Sequence, residues 1–163
     1  MKILAIDPGF ERVGVAVIER DEKQKDILVY SDCFKTSAKI PFYQRLTAIG
    51  DEMERLIKKY KPEALAIEKL FLNTNQKTVM GVAEARGVIV YSASRNGLNI
   101  FEYTPPQIKI AVTGYGKADK KMVINMVFKL INIEKSTSSD DELDAIAIGL
   151  TCLAHEKFSI YSK

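Results

Sequence analysis

The chain has 163 residues, of which 47% are hydrophobic and 28% are charged, and its formal net charge is only +3. This is the composition of an ordinary soluble protein, and we expect one domain over residues 1–163. No run approaches the roughly 20 apolar residues of a membrane span and no signal-peptide pattern is present, which predicts a cytoplasmic protein without a membrane partner. The two cysteines, Cys33 and Cys152, lack metal-ligand spacing, so we expect buried free thiols.

The first third of the chain predicts three strands. Residues 3–6 are an apolar run that ends at Asp7, before the turn residues Pro8-Gly9. A strand that is apolar on both faces is buried in a sheet, and an Asp at its end lies where ligand sites of α/β proteins gather. An Asp before Pro-Gly is also ordinary turn chemistry. Two β-branched runs follow at 13–18 and 27–30, and the three strands predict an antiparallel meander.

The middle of the chain alternates helix and strand patterns. From Pro41 to Tyr60 apolar residues recur every three or four positions, which predicts an amphipathic helix. Residues 64–67 form a second apolar strand that ends in a carboxylate, Glu68. A helix over 78–96 and a strand over 98–103 follow. This alternation predicts an α/β fold.

The sequence of the last third of the chain predicts three helices. Thr104 followed by two prolines has the order of an N-cap and first turn, so a short helix should run through 107–113. The apolar stripe over 123–131 predicts a second helix. The third begins at a capping box, with Ser139 as N-cap and Glu142 reaching back, so Glu142 is interpreted as structural.

Four acidic residues are expected to meet at one edge of the sheet. Asp7 and Glu68 end buried strands, while Asp141 and Asp144 lie three apart on the last helix. Asp144 precedes a run that is apolar on nearly all sides, so its carboxylate needs a cation or strong donors nearby. Four converging carboxylates favour Mg²⁺ or Mn²⁺. Two such ions hydrolyse phosphodiesters without a nucleophilic side chain.

Basic and aromatic residues near these acids suggest a nucleic-acid partner. Lys109, Lys117, Lys120 and Lys121 fall within a short segment and would bind phosphates without sequence preference. A solvated helix face is the commoner meaning of such a run. Phe71 follows Glu68 in a polar loop, where its ring would either stack on an unpaired base or tuck under the loop.

Several motifs, taken together and in order, resemble the RuvC-type Holliday junction resolvases. They are Asp7-Pro8-Gly9 with Arg12 and Gly14, Glu68 with Phe71, Ala85-Arg86-Gly87, Thr104-Pro105 through Lys109, Val112 to Lys120, and Asp141-Glu142-Leu143-Asp144-Ala145. The final motif departs from the usual Asp-Ala-Ala-Asp of the family, and Asp140 precedes it, so Asp140 and Asp141 both remain candidates for the metal; the spacing favours Asp141.

This resemblance implies a ribonuclease H-like fold, with a five-stranded mixed sheet flanked by helices. It implies a homodimer that resolves four-way DNA junctions by paired symmetric nicks in recombination and repair, alongside a branch-migration helicase complex of the RuvA and RuvB type. The metal-binding catalytic residues would be Asp7, Glu68, Asp141 and Asp144. By the same resemblance, Lys109 and Lys120 would assist at the DNA backbone and Phe71 would contact bases.

Two rival functions share parts of this pattern. Strand-end Asp-Gly turns also bind ATP phosphates in actin-like kinases, but those need two such domains and 163 residues supply one. A non-catalytic nucleic-acid-binding relative would keep the lysines and lose the acids, and all four acids are present.

Overall fold

The computed structural model describes residues 1–70, 76–133 and 139–161. The elements in chain order are β1 (Lys2–Asp7), β2 (Arg12–Arg20), β3 (Asp26–Lys35), α1 (Phe42–Tyr60), β4 (Ala64–Glu68), α2 (Gln76–Arg95), β5 (Asn99–Tyr103), α3 (Pro105–Thr113), α4 (Lys120–Leu130) and α5 (Asp140–Tyr161). Each element predicted from the sequence is present, with its ends shifted by a few residues. None of the helices within the described residues is long and apolar enough to cross a membrane.

The strands form one sheet in the order β3-β2-β1-β4-β5. The first three are antiparallel, as the meander predicts, whereas β4 and β5 run parallel to β1. β1 lies in the centre, and its residues 3–6 are buried on both faces. A five-stranded mixed sheet with helices on both faces is therefore confirmed.

The sheet separates two hydrophobic cores. One side chain set, which includes Leu4 and Ile6, packs against α1 and α2. The alternate set, which includes Ile3 and Ala5, packs against α3, α4 and α5. Side chains alternate between the faces of a strand, so the continuous apolar run of β1 supplies both cores. Helices thus cover both faces of the central strand β1.

The helix ends follow the local chemistry of the sequence. Thr104 and Gln107 form a capping box at the start of α3, and Gly114 ends this helix in a left-handed conformation with φ of 76°. Ser139 and Glu142 form the second predicted capping box: each backbone N–H donates to the other's side chain, at 2.9 and 3.2 Å. Both predicted caps are confirmed, and Glu142 has the structural role expected for it.

Three local predictions need correction. β3 continues past the predicted 27–30 to Lys35, because an edge strand pairs along its whole length with β2 even where polar residues interrupt its apolar pattern. Cys33 lies on this extension and is partly exposed, so its predicted burial is wrong, whereas Cys152 is fully buried. The stripe beginning at Val123 marks only part of α4, which starts at Lys120 because Asp119 caps it.

Candidate active site

The two strand-end acids lie at the same edge of the sheet. Asp7 is the last residue of β1 and Glu68 is the last residue of β4. These strands are parallel neighbours, and Ile6 pairs with Ile67, so Asp7 and Glu68 follow adjacent paired positions. Parallel pairing thus delivers two carboxylates side by side where two buried strands end.

The N-terminus of α5 reaches this edge through a glycine. Gly14 of β2 is the register partner of Asp7, and a Cβ atom on Gly14 would lie 2.0 Å from the carbonyl oxygen of Asp141 and 3.1 Å from the Cβ of Asp7. No side chain fits in that space, so only glycine allows the first turn of α5 to lie against the end of β1. The absence of a side chain at Gly14 therefore brings Asp141 to Asp7.

The acids act on one another electrostatically. Burial and, after it, the charges of Asp144, Glu68 and Asp141 together raise the pKa of Asp7 to about 7, with Lys120 opposing them. Burial and the charge of Asp144 together raise the pKa of Glu68 to about 7, with Lys109 opposing them. A carboxylate resists ionisation where water is excluded and negative charge is already present. The four predicted acids thus form a single electrostatic group.

Within this group two hollows are each lined by a pair of the acids. Asp7 and Asp141 line a hollow of about 290 Å³ together with the loop 8–12. Glu68 and Asp144 line a neighbouring pocket of about 200 Å³. Over residues 1–70, 76–133 and 139–161, no three His, Cys, Asp or Glu side chains converge closely enough to hold a metal ion. The predicted convergence of oxygens on one point is therefore not present in these side-chain positions.

A basic side chain holds one member of each pair. The Arg12 Nε lies 3.3 Å from the Asp141 Oδ2, and the Lys120 Nζ lies 3.2 Å from the Asp144 Oδ2. Lys120 also lies 3.1 Å from the Asp140 Oδ2. Burial lowers the pKa of Lys120, but its contacts with these two aspartates outweigh that effect and raise it overall. These ion pairs give a physical reason for the separation of the acids, since each cation engages an oxygen that would otherwise be free to turn toward the other carboxylates.

Asp140 and Asp141 occupy different environments. The Asp140 side chain is 69% exposed and faces Lys120, whereas the Asp141 side chain is 20% exposed and contributes to the raised pKa of Asp7. The Cys33 Sγ also donates to the Asp141 Oδ2 at 3.5 Å. Asp141 is thus the member of this acidic turn that faces the strand ends.

The predicted basic residues take separate positions around the acids. Lys109 on α3 and Lys120 at the start of α4 line the pocket that contains Glu68 and Asp144. Lys117, in the connecting loop, and Lys121, on the first turn of α4, are exposed and are not among the residues that line this pocket. Phe71, predicted to contact bases, lies outside the residues that the structure describes.

Sequence reasoning gave no role to several residues that contact the acids. The Arg12–Asp141 and Cys33–Asp141 contacts join positions more than 100 residues apart, and no local pattern signals them. No role is assigned to Asp119 from the sequence either, although it caps α4 by accepting a hydrogen bond from the Met122 N–H at 2.8 Å. An Asp that directly precedes a segment with helical apolar periodicity is a common N-cap, and this pattern would have identified Asp119.

The donor set fits a hard divalent cation. Four carboxylates offer oxygen ligands, which suit Mg²⁺ and Mn²⁺. The Cys33 thiol beside Asp141 does not change this, because burial raises its pKa and it stays protonated at neutral pH. Asp7 and Glu68, with pKa values of about 7, lose protons readily once a cation offsets the surrounding negative charge.

Comparison with known proteins gives consistent matches. The model of a family described as crossover junction endodeoxyribonuclease RuvC matches residues 3–152. A Fusobacterium nucleatum protein of that name is 42% identical over 155 residues, which cover 95% of this chain and 80% of the relative. A structure of Thermus thermophilus RuvC in complex with Holliday junction substrate has a TM-score of 0.90 at 28% identity, covering 98% of this chain and 96% of that one.

A more distant structure shares the fold alone. The yeast mitochondrial Holliday junction resolvase has a TM-score of 0.71 at 15% identity, covering 95% of this chain and 78% of its own. Together with the closer matches, this confirms the predicted ribonuclease H-like α/β fold.

Proposed function

Because the chain belongs to the RuvC family of crossover junction endodeoxyribonucleases, we propose that Asp7, Glu68, Asp141 and Asp144 form the catalytic centre with which it resolves four-way DNA junctions. Members of this family are metal-dependent phosphodiester hydrolases that serve DNA recombination and repair. The observation that carries the assignment is the pKa of Asp7, raised to about 7 by burial and by the other three acids. Groups with such perturbed pKa values cluster at functional sites.

The metal is Mg²⁺ or Mn²⁺, with two ions per centre. The division of the acids into an Asp7–Asp141 pair and a Glu68–Asp144 pair, each lining its own hollow, supports two ions better than one. When bound, divalent ions supply the Lewis acidity that activates a water and stabilises the leaving oxygen in phosphodiester hydrolysis. A nucleophilic side chain is not required.

The lysines of the Glu68–Asp144 pocket contact the DNA strand that is cut. Lys109 lowers the pKa of Glu68, so its ammonium lies within electrostatic reach of that carboxylate. Lys120 is 51% exposed and contacts both Asp140 and Asp144, which leaves the third N–H of its ammonium available to a phosphate oxygen. Both residues therefore stabilise negative charge that develops on the phosphate as the bond breaks.

The remaining basic residues act on the DNA arms. Lys117 and Lys121 are exposed beside this pocket and bind backbone phosphates without sequence preference. Phe71, in the segment between β4 and α2, contacts bases near the crossover.

The active form is a homodimer, since two symmetric nicks call for two identical centres related by a two-fold axis. The outer face of α2 supports this arrangement: Met80 and Tyr91 are 66% and 64% exposed, and a Cβ on Gly87 would meet nothing within 4 Å. Other parts of the proposal are a single domain over residues 1–163, a cytoplasmic location and a helicase complex of the RuvA and RuvB type as partner.

The proposal is tested by incubating the protein with a synthetic four-way junction and with a linear duplex of matched sequence, with and without Mg²⁺. We expect paired nicks in the junction only, and only with the metal. Cleavage of both DNAs at equal rates would remove junction selectivity, and binding without cleavage in Mg²⁺ and in Mn²⁺ would leave the non-catalytic alternative.

A further inference from the structure

One side chain of α2 touches the end of β4 beside the acidic centre. The Arg86 Nε donates to the carbonyl oxygen of Glu68 at 3.3 Å, and its Nη2 forms an ion pair with the carboxylate of Glu102 on β5. The Arg86 side chain is only 19% exposed. A single guanidinium thus ties together α2, β4 and β5 at the point where the chain leaves the sheet.

The Arg86 contact completes the hydrogen bonding of one peptide unit. The carbonyl of Glu68 and the N–H of Lys69 belong to the same planar peptide group. The Lys69 N–H donates to the Tyr103 carbonyl at 2.8 Å, which continues the pairing of β4 with β5, while the Glu68 carbonyl accepts from Arg86. With both polar ends of this plane engaged, the backbone dihedral ψ of Glu68 is fixed, and with it the direction from which the Glu68 side chain approaches Asp144.

The charge of Arg86 is costly where it lies. Burial lowers the pKa of its guanidinium, which reflects the loss of water around a group that remains charged. Its anionic partner Glu102 is 42% exposed, so the ion pair is partly screened and contributes modestly to stability. A less buried arginine would form such a pair at lower cost, so stability alone does not account for this position.

We propose that Arg86 is a positioning residue for Glu68, holding the peptide unit after it so that its carboxylate enters the acidic centre in a fixed orientation. This inference rests on the proposed function, in which Glu68 binds the metal. Removing a group that hydrogen-bonds to a metal ligand and orients it commonly lowers metal affinity about 10- to 100-fold.

The bland alternative is that Arg86 only joins α2 to β5 through Glu102. Glu102→Gln addresses this alternative directly, because it weakens the tie between α2 and β5 and leaves the Glu68 contact in place. Arg55 in α1 controls for the loss of a helical arginine: it forms a two-point pair with Glu52 of the same helix at 2.7 Å and is not placed in the catalytic centre. Both Arg86→Ala and Arg55→Ala remove a helical arginine and its ion pair with a glutamate. Only the first also removes a hydrogen bond from the backbone of a proposed metal ligand.

The test is a calorimetric titration of the full-length protein with Mn²⁺ alone, in the absence of DNA, below the unfolding temperature of every variant. We expect Arg86→Ala to weaken Mn²⁺ binding about 10- to 100-fold, and Arg55→Ala to leave it unchanged. Glu102→Gln keeps the Glu68 contact and removes the charge of the ion pair, so we expect a much smaller change than for Arg86→Ala. A lysine at position 86 lacks the planar fork that reaches both partners, so Arg86→Lys should also weaken Mn²⁺ binding. This variant serves as the test if Arg86→Ala does not fold.

The outcomes distinguish the positioning role of Arg86 from the proposed function. Unchanged Mn²⁺ affinity in both Arg86 variants would overturn the positioning role, as would a loss in Glu102→Gln equal to that in Arg86→Ala. A wild-type protein that binds Mn²⁺ but does not cut junctions would contradict the proposed function and leave the Arg86 result standing. A wild-type protein that binds no Mn²⁺ would overturn both.

Discussion

The two pairs of acids are held in place by different physical means. The Asp7–Asp141 pair depends on backbone packing, since the first turn of α5 lies directly on Gly14 of β2. The Glu68–Asp144 pair lies in a pocket where Lys109 and Lys120 oppose its charge. The first pair thus depends on close backbone packing as well as on the Arg12–Asp141 ion pair, whereas the second depends on the charges of two lysines. The first should therefore be broken by added volume and the second by removed charge.

We expect the largest loss of activity from removing the charge of Asp7 in the Asp7–Asp141 pair. Asp7→Asn keeps the shape of the side chain and removes the carboxylate whose pKa is raised to about 7. We expect the single-turnover rate of junction cleavage to fall by about 10³-fold or more. Junction affinity, measured in Ca²⁺ or without metal, should stay within about twofold or improve, because one negative charge near the DNA is gone.

Asp51→Asn is the matched control, since Asp51 is exposed on α1. It should leave both rate and affinity unchanged. An Asp7→Asn variant that cleaved at the wild-type rate in saturating Mg²⁺ would remove Asp7 from the centre.

A methyl group added at Gly14, beside the Asp7–Asp141 pair, should have the next largest effect. Gly14→Ala places a carbon 2.0 Å from the Asp141 carbonyl oxygen, which is backbone and cannot move aside as a side chain does. We expect a loss of about 1–3 kcal/mol in unfolding free energy, and a fall in cleavage rate of about 10²-fold, because Asp141 is displaced.

Gly149→Ala adds the same methyl group further along α5, where it meets the Ile18 Cδ1 at 2.7 Å. It should lower stability while leaving the cleavage rate of the folded enzyme close to that of wild type. Equal rate losses in both variants would show that the site responds to helix packing in general and not to the contact at Gly14.

Removing charge should break the second pair. Lys120→Ala deletes the ammonium that donates to Asp144 at 3.2 Å. We expect the rate at saturating enzyme to fall by roughly 10²-fold with little change in affinity. Lys117→Ala and Lys121→Ala should instead weaken binding alike for all sequences and lower the salt slope by about one each.

Single-turnover cleavage and salt-titrated binding of these lysine variants decide between the two roles. Four variants, Lys109→Ala included, that matched wild type in both assays would make this segment a solvated surface.

The smallest effect concerns stability and pH without metal. The folded-state pKa of Asp7 lies above its ordinary value of 3.8, at about 7, so the folded protein binds that proton more tightly than the unfolded chain does. The stability gained from this proton is complete below about pH 4 and is lost as pH rises through about 7. Asp7→Asn cannot titrate and does not lose it.

Urea unfolding in EDTA at several pH values measures this difference. We expect the variant to gain stability over wild type as pH rises from 5 to 8, by about 3 kcal/mol. Saturating Mn²⁺ should stabilise wild type, so that at pH 8 wild type becomes more stable than Asp7→Asn. If the difference in unfolding free energy between the variant and wild type stayed constant across pH, the pKa of Asp7 would not be raised by burial and by the neighbouring acids.

The parts of this site that local patterns encode were predictable. An apolar run ending in a carboxylate locates Asp7 and Glu68 at strand ends, and the capping boxes locate the starts of α3 and α5, since each pattern depends on residues within a few positions of one another. The similarity of the whole motif set then gave the ribonuclease H-like fold.

Contacts between distant residues were not predictable in the same way. Nothing near Arg12 or Arg86 in the sequence indicates Asp141 or the Glu68 carbonyl as a partner, because those contacts exist only once the sheet and helices pack. The division of the acids into two pairs has the same origin: it depends on which cation each carboxylate reaches. Spacing along α5 alone suggested convergence on one point.

The central claim is that the two pairs, though separated by their ion pairs with Arg12 and Lys120, form one metal centre. Anomalous diffraction from a crystal of the wild-type protein soaked in Mn²⁺ tests it most directly. We expect Mn²⁺ in contact with carboxylate oxygens of both pairs, with Asp7 among the ligands and Arg12 and Lys120 released from Asp141 and Asp144. Mn²⁺ bound elsewhere, or bound to one pair with both cations still in place, in a protein that cleaves junctions in Mn²⁺ would contradict the account.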